Sequence, residues 1–275
     1  MTEQLPSLAI LGTGSMGGAI LHGLRQPGVS VPSLRATTRT DASAAALRER
    51  GIEARATEHE HDANRWAVED ARLVLLGVKP AQILPLLDEL APHLHPEALI
   101  VSVAAGVTTE AMEARVAQAV VRAMPNTPAL VGRGVTGVSG GSRASAADLA
   151  LAATLFRTVG TVIELPEAQI DALSTVSGSG PAYVFLLIEE FTRAAEELGF
   201  EEEVAALMVQ QTFLGASLLL EAGDEDPAEL RRRVTSPKGT TERAVAVLQD
   251  AELAEVFGRA TRAALARAKE LAGGG

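Results

Sequence analysis

The sequence predicts an α/β protein, with a doubly wound sheet over residues 1–165 and an all-helical region over residues 166–275. Three observations carry this. Up to residue 165, short apolar runs bounded by Gly or Pro alternate with segments of helical period. After Pro166 the strand signals stop. The charge changes at the same point: residues 1–165 carry 14 basic and 16 acidic groups, net −2, while residues 166–275 carry 10 and 19, net −9.

The elements follow in order. Leu8–Leu11 is unbroken, apolar and too short for a helix, as a strand buried on both faces should be. The helical stretch GGAILHGL comes next, and a second strand ends near Ala36–Thr40. Leu73–Val78, Leu99–Val103 and Val120–Arg122 repeat the apolar pattern, with helix-period segments at Ala42–Arg50 and Gln82–Leu90 between strands. Val135–Val138 and Thr161–Leu165 read as the last strands, with a helix at Ala146–Thr158 between them. Beyond Pro166, helical spacing covers Pro181–Leu198, Glu202–Glu221, Thr240–Gln249 and Ala251–Leu271, and Pro181 suits a first helical position. The closing Gly273–Gly275 reads as a frayed end.

Composition sets limits on function. Hydrophobic residues make up 47% of the 275, enough for a packed core, but aromatics are only 3%, so Ala, Leu and Val must build it. A net charge of −11 repels nucleic acid and anionic lipid over most of the surface. Without cysteine there are no disulfides, thiolate metal sites or cysteine nucleophile. His59/His61 and His93/His95 lack a third ligand, so they read as surface residues and no metal is expected. No run of 18 apolar residues occurs, and the N-terminus has no basic segment before its apolar stretch. The expectation is a soluble cytoplasmic protein without membrane or nucleic-acid partners.

The first chemical signal is Gly12-Thr13-Gly14-Ser15-Met16-Gly17, which follows a strand and opens a helix, the context of a dinucleotide fingerprint. Gly12 permits the tight turn, Gly14 lets backbone approach a pyrophosphate, and Gly17 permits close helix–strand packing. Some 20 residues on, an NAD site places a carboxylate for the ribose 2′-hydroxyl. Here Thr38 and Arg39 occupy that place and no carboxylate comes before Asp41, which favours a 2′-phosphate and hence NADPH over NADH. Gly77–Pro80 and Val103–Gly106 end later strands on the same sheet edge and should border the cofactor. Met124–Pro128, with two prolines and a polar tip, suits a rigid cleft wall. In the helical region, Ser177–Pro181 and Val234–Thr241 each precede a helix. The hydroxyls and amides of the second suit a carboxylate, although an ordinary helix cap would look the same.

Taken together, GTGSMGGAI, LLGVKP, VSVAAGVT, RAMPNTPALVGRG, SGSGPAYVFLLIEE and VTSPKGTT resemble the pyrroline-5-carboxylate reductase family nearly end to end. The resemblance implies an N-terminal Rossmann domain, a helical C-terminal dimerisation domain, and NAD(P)H-dependent reduction of a cyclic imine to L-proline. It places the cofactor on Leu11, Gly12, Thr13, Gly14, Ser15, Met16, Thr38, Arg39, Asn64, Gly77, Val78, Lys79, Pro80, Val103, Ala104 and Ala105. It places the substrate carboxylate on Ser236, Gly239 and Thr240, with Thr241 reaching the ring nitrogen as the catalytic contact. Gly178, Ser179, Gly180 and Pro181 would shape the pocket wall. One departure stands out: Lys238 occupies a position where family members commonly have glycine. The Ala- and Leu-rich helices, such as Ala205–Leu220, imply a homodimer or larger homo-oligomer built through the C-terminal region.

Two other functions compete. A 3-hydroxyacid dehydrogenase of similar plan would resemble its own family by carrying a lysine in the first long helix after the linker, and Tyr183–Leu198 contains none. A non-enzymatic NADP sensor explains Arg39 but gives the SGSGP and SPKGTT blocks no purpose. Turnover of the imine separates the sensor from the reductase, and hydroxyacids tested with oxidised cofactor separate the dehydrogenase.

Overall fold

The computed structural model describes residues 3–273. Gly274 and Gly275, part of the expected frayed end, lie outside the described residues. The chain divides into two compact units, one running up to Ser179 and taking in the residues from Ala264 on, the other Gly180–Ala263.

The first unit contains β1 (Glu3–Gln4), β2 (Leu8–Leu11), α1 (Ser15–Leu24), β3 (Val29–Ser30), β4 (Leu34–Thr38), α2 (Asp41–Glu49) and β5 (Glu53–Ala56). There follow α3 (Ala63–Val68), β6 (Leu73–Leu76), α4 (Pro80–Leu90), β7 (Leu99–Ser102), α5 (Thr109–Glu113) and β8 (Ala119–Met124). The unit continues with β9 (Gly134–Gly140), α6 (Ala146–Arg157), β10 (Gly160–Glu164) and α7 (Ile170–Leu173). Eight strands form one sheet in the order β10-β9-β8-β7-β6-β2-β4-β5, while β1 and β3 pair separately.

Burial on both faces explains why β2, β6 and β7 are apolar but for Ser102. Leu8 and Ile10 of β2 pack with Leu73, Leu75, Leu99 and Val101 on one face. Ala9 and Leu11 pack with Val74, Leu76 and Ile100 on the other. Every residue of β2, β6 and β7 is buried. A strand covered by helices on both sides has no face left for polar residues.

The sheet is parallel from β5 to β8, but β9 runs antiparallel to β8, and β10 is parallel to β9. The link after Met124 carries only one short 3-10 turn, at Thr127–Val131, and no crossover helix, so the chain reverses beside β8.

Past β10, Glu167 and Asp171 reach back to Arg122 of β8, only 3% exposed, at 3.5 and 2.5 Å. A buried guanidinium needs such partners, because stranding it would cost several kcal/mol, roughly 3–5. Thr109 adds two bonds to Glu167, from its N–H at 2.8 Å and its hydroxyl at 2.5 Å. These ties hold residues 167–171 on the sheet, which is why the first compact unit extends beyond 165.

The second unit holds α8 (Gly180–Glu197), α9 (Glu202–Ala222), α10 (Pro227–Arg233), α11 (Thr240–Asp250) and the start of α12 (Leu253–Gly273). Its buried cluster is small, comprising Ala195, Ala205 and Val209 with Ile188 and Phe213 against them. Phe185, Leu207, Leu219 and Val247 are all more than 60% exposed. Among the described residues, α9 is long and apolar enough to cross a membrane by length and composition, with a mean hydropathy of 1.4 and only 11% of that span buried. Gln210, Gln211 and Thr212 interrupt its apolar run without lowering the average below that of a span. Exposed apolar area on this scale asks for a covering surface.

Candidate active site

The strand order places a crevice at the sheet's switch point. From β2 the chain moves outward through β4 and β5, then returns to β6 on the opposite side of β2. Connections leaving in opposite directions open a gap outside the carboxyl ends of β2 and β6.

Glycines bring the two loops together there. Gly12 has φ +84°, and a Cβ on it would meet Val78 Cγ1 at 2.7 Å. A Cβ on Gly77 would stand 2.6 Å from the Gly12 carbonyl oxygen. A side chain at either position would force the strands apart. Gly14 caps the N-terminus of α1, and a Cβ there would meet nothing within 4 Å. Backbone contact inside and open space outside make a cradle for an anion at the helix N-terminus. These observations fit a dinucleotide.

A cleft of about 600 Å³ joins this loop to the end of β4 and to α3. It brings together Gly12, Thr13, Gly14, Thr38, Arg39, Asn64, Gly77, Val78 and Lys79 of the sequence-derived set. Leu11, Ser15, Met16, Gly17 and Pro80 adjoin these residues without lining the cleft. Val103–Ala105 lies at the end of β7, the next strand but outside the lining, where Val103 N–H donates to Leu76 O at 3.1 Å. Thr37, Thr40, Ser43 and Thr57, which the sequence did not single out as site residues, also line the cleft. The threonines flanking Arg39 were the available signal.

Arg39 is exposed, and among the described residues its guanidinium has no partner. Nearby carboxylates are engaged elsewhere: Asp41 pairs with Arg48 at 3.0 Å, and Glu58 accepts from Asp41 N–H at 2.6 Å.

The SGSGP block is anchored by a residue the sequence marked only as a loop tip. Asn126 is 7% exposed, donates from Nδ2 to Ser177 O at 2.9 Å and accepts from Val135 N–H at 2.8 Å. Ser174–Gly178 forms a π-helical turn, in which a Cβ on Gly178 would lie 3.1 Å from Ser174 Oγ. Ser179 ends the first unit, while Gly180 and Pro181 open α8 in the second.

In the second unit, Ser236, Thr240 and Thr241 are exposed around the start of α11, and among the described residues their hydroxyls have no partner. Gly239 occupies the N-cap position, with no side-chain cap bond. Glu242 instead accepts from Lys238 N–H at 2.9 Å. Lys238 has φ +62°, a left-handed conformation that suits glycine. For other residues it costs about 1–2 kcal/mol, partly offset by the greater freedom of glycine in the unfolded chain. We therefore expect Lys238→Gly to raise stability by roughly 0.5–1 kcal/mol, measured as a higher denaturant midpoint with unchanged slope. The KM for substrate at low and high salt then reports any steering of an anion, since a penalty due to lost charge fades as salt rises.

Titratable groups displaced from their usual range lie elsewhere. Hydrogen bonding and charge from Arg72 lower the Glu97 carboxyl. Arg232 does the same for Glu229. Glu113 is lowered because bonds from Ser142 and Arg143 outweigh its burial. None of these lines the cleft. Among the described residues no group of three or more His, Asp or Glu is placed to hold a metal.

A doubly wound sheet with a cradle at its switch point, followed by a helical region, defines an NAD(P)H-dependent oxidoreductase of two-part plan. Comparison with known proteins agrees on both parts. Residues 7–106 match the model described as NADP oxidoreductase coenzyme F420-dependent, and residues 167–271 match pyrroline-5-carboxylate reductase dimerisation. The chain is 42% identical to the pyrroline-5-carboxylate reductase of Pseudomonas aeruginosa, covering 97% of each. It is 38% identical to a solved pyrroline-5-carboxylate reductase from Coxiella burnetii, with a TM-score of 0.90 over 96% of this chain and 98% of that one. The solved Plasmodium falciparum pyrroline carboxylate reductase with NADP bound shares the fold, with a TM-score of 0.80 at 24% identity over 97% and 98%. The chain belongs to the pyrroline-5-carboxylate reductase family.

Proposed function

We propose that this chain reduces 1-pyrroline-5-carboxylate to L-proline, with NADPH preferred over NADH, as a cytoplasmic homodimer or larger homo-oligomer. The activity rests on family membership over 97% of the chain. The cofactor preference rests on one observation, the unpartnered Arg39 at the end of β4 where an NAD site would hold a carboxylate.

When bound, the reduced nicotinamide supplies a hydride to the imine carbon, and with the ring nitrogen already protonated the product is a neutral amine. That chemistry asks for no dedicated proton donor. Reduction of a carbonyl leaves an alkoxide that needs a proton donor. Reduction of a protonated imine removes a charge instead, so the protein has only to orient and bind. In this reading Ser236, Gly239 and Thr240 hold the substrate carboxylate at the N-terminus of α11. Thr241 accepts a hydrogen bond from the ring nitrogen, and Gly178–Pro181 walls the pocket. Residues 1–165 form the cofactor domain and residues 166–275 the dimerisation and substrate domain. The cofactor lies along Leu11–Met16, Thr38/Arg39, Asn64, Gly77–Pro80 and Val103–Ala105, with Gly17 closing the turn beneath the helix.

The deciding assay supplies pyrroline-5-carboxylate with each reduced cofactor and follows loss of reduced nicotinamide absorbance. Binding of NADPH without imine-dependent oxidation would overturn the activity.

Assembly has its own test. The dimerisation match covers the helices that leave Phe185, Leu207, Leu219 and Val247 exposed. Burying such faces drives association. Light scattering at micromolar protein should give a mass of two chains or a multiple of two. A monomeric mass with full activity would overturn the proposal.

A further inference from the structure

Thr37 is the penultimate residue of β4, lies next to the glycine loop and is 1% exposed. Its carbonyl oxygen accepts from the Gly12 and Thr13 N–H groups at 3.1 and 2.9 Å and from Thr13 Oγ1 at 2.6 Å. The main chain of Thr37 therefore suffices to hold the loop. Its hydroxyl does something separate: it donates to Asn64 Oδ1 at 3.0 Å and accepts from Gly12 N–H at 3.3 Å.

An asparagine amide offers an acceptor on one side and two donors on the other. The Thr37 oxygen accepts from Gly12 N–H, and its own proton goes to Asn64 Oδ1. The Asn64 NH2 then has no partner among the described residues, while Asn64 itself lines the cleft. The backbone of α3 is fixed independently. Arg35 Nη1 donates to Trp66 O at 2.8 Å and to Glu69 O at 3.2 Å. The Trp66 ring also carries the guanidinium groups of Arg35 and Arg55 at 5.2 and 4.3 Å from its centroid. With the helix held, the remaining freedom is rotation of the Asn64 amide, and the Thr37 hydroxyl sets it.

We infer that Thr37 is a positioning residue for the cofactor: its hydroxyl fixes the Asn64 amide so that the NH2 meets a hydrogen-bond acceptor of the dinucleotide. The inference rests on Asn64 being a cofactor residue, and the experiment separates the two. Trp66, the only tryptophan and two residues beyond Asn64, provides a fluorescence signal for NADPH titration. Thr37→Val removes the hydroxyl at nearly constant shape and leaves the carbonyl bonds in place. The Kd for NADPH should rise about 3- to 10-fold, with kcat at saturating NADPH unchanged. Thr37→Ser should restore wild-type binding. In an Asn64→Ala background, which should itself weaken binding, Thr37→Val should add less than about 2-fold, since two residues acting as a unit are not additive. A merely structural Thr37 would lower Tm in both backgrounds and leave Kd alone, and that result overturns the inference. If Asn64→Ala binds NADPH normally, the cofactor role of Asn64 fails instead. Should Thr37→Val not fold, Thr37→Cys, whose thiol is a weak donor, is read in the same way.

Discussion

Thr241→Ala should lower kcat/KM for the imine by roughly 10- to 150-fold while leaving NADPH affinity and Tm unchanged. The lost contact is one hydrogen bond to a charged ring nitrogen, worth about 1.5–3 kcal/mol, and each 1.36 kcal/mol is about tenfold in rate. The local structure separates this outcome from its rival. If the stretch were only a helix cap, removing a threonine would cost stability, about 1 kcal/mol. Gly239, not Thr241, holds the N-cap position of α11, and no side-chain cap bond is made there. Glu242 satisfies the Lys238 N–H instead. The Thr241 hydroxyl thus contributes nothing visible to the fold, and its loss should register in turnover. A lowered Tm with normal kinetics would remove Thr241 from the site.

Much of the fold was legible because burial on both faces leaves a strand no choice of residue. β2, β6 and β7 are runs of four residues, apolar except for Ser102, and glycine directly follows β2 and β6. The edge strand β5 was not legible. Its residues, Glu53-Ala54-Arg55-Ala56, bury only the two alanines, and alanine carries little strand signal. α3 is six residues long and too short for a period to emerge. The direction of β9 was invisible as well, since composition records that a strand is buried and not which way it runs.

The site divides along the same line. Glycines that must approach backbone, such as Gly12 and Gly77, declare themselves in sequence because no other residue fits. Asn64 does not, because its amide is oriented by Thr37, 27 residues away in the chain. Arg122 was likewise unreadable: a charge in an apolar strand makes sense only once Glu167 and Asp171 are seen to meet it.

Arg39→Ala should raise the KM for NADPH about tenfold or more and leave the NADH constants nearly unchanged, narrowing or abolishing the preference. The two cofactors differ only in the 2′-phosphate, so whatever discriminates them must meet that group. The hydroxyls beside Arg39 have limited capacity to donate. Thr38 Oγ1 already donates to Thr40 O at 2.9 Å, and Thr40 Oγ1 shares a hydrogen bond with Ser43 Oγ at 3.0 Å. A dianion asks for donors and positive charge, and the exposed Arg39 brings both with no competing partner among the described residues. A charge-assisted contact of this kind is worth about 1.5–3 kcal/mol. Its exposure also makes it sensitive to screening, so the wild-type preference should shrink as salt rises, while the preference of Arg39→Ala should stay flat. Arg39→Lys should recover part of the effect, because lysine keeps the charge but loses the planar fork of donors. Initial rates with both cofactors at two salt concentrations decide the matter. A wild type that favours NADH, together with an Arg39→Ala variant indistinguishable from it, would remove Arg39 from the cofactor site and the basis for preferring NADPH.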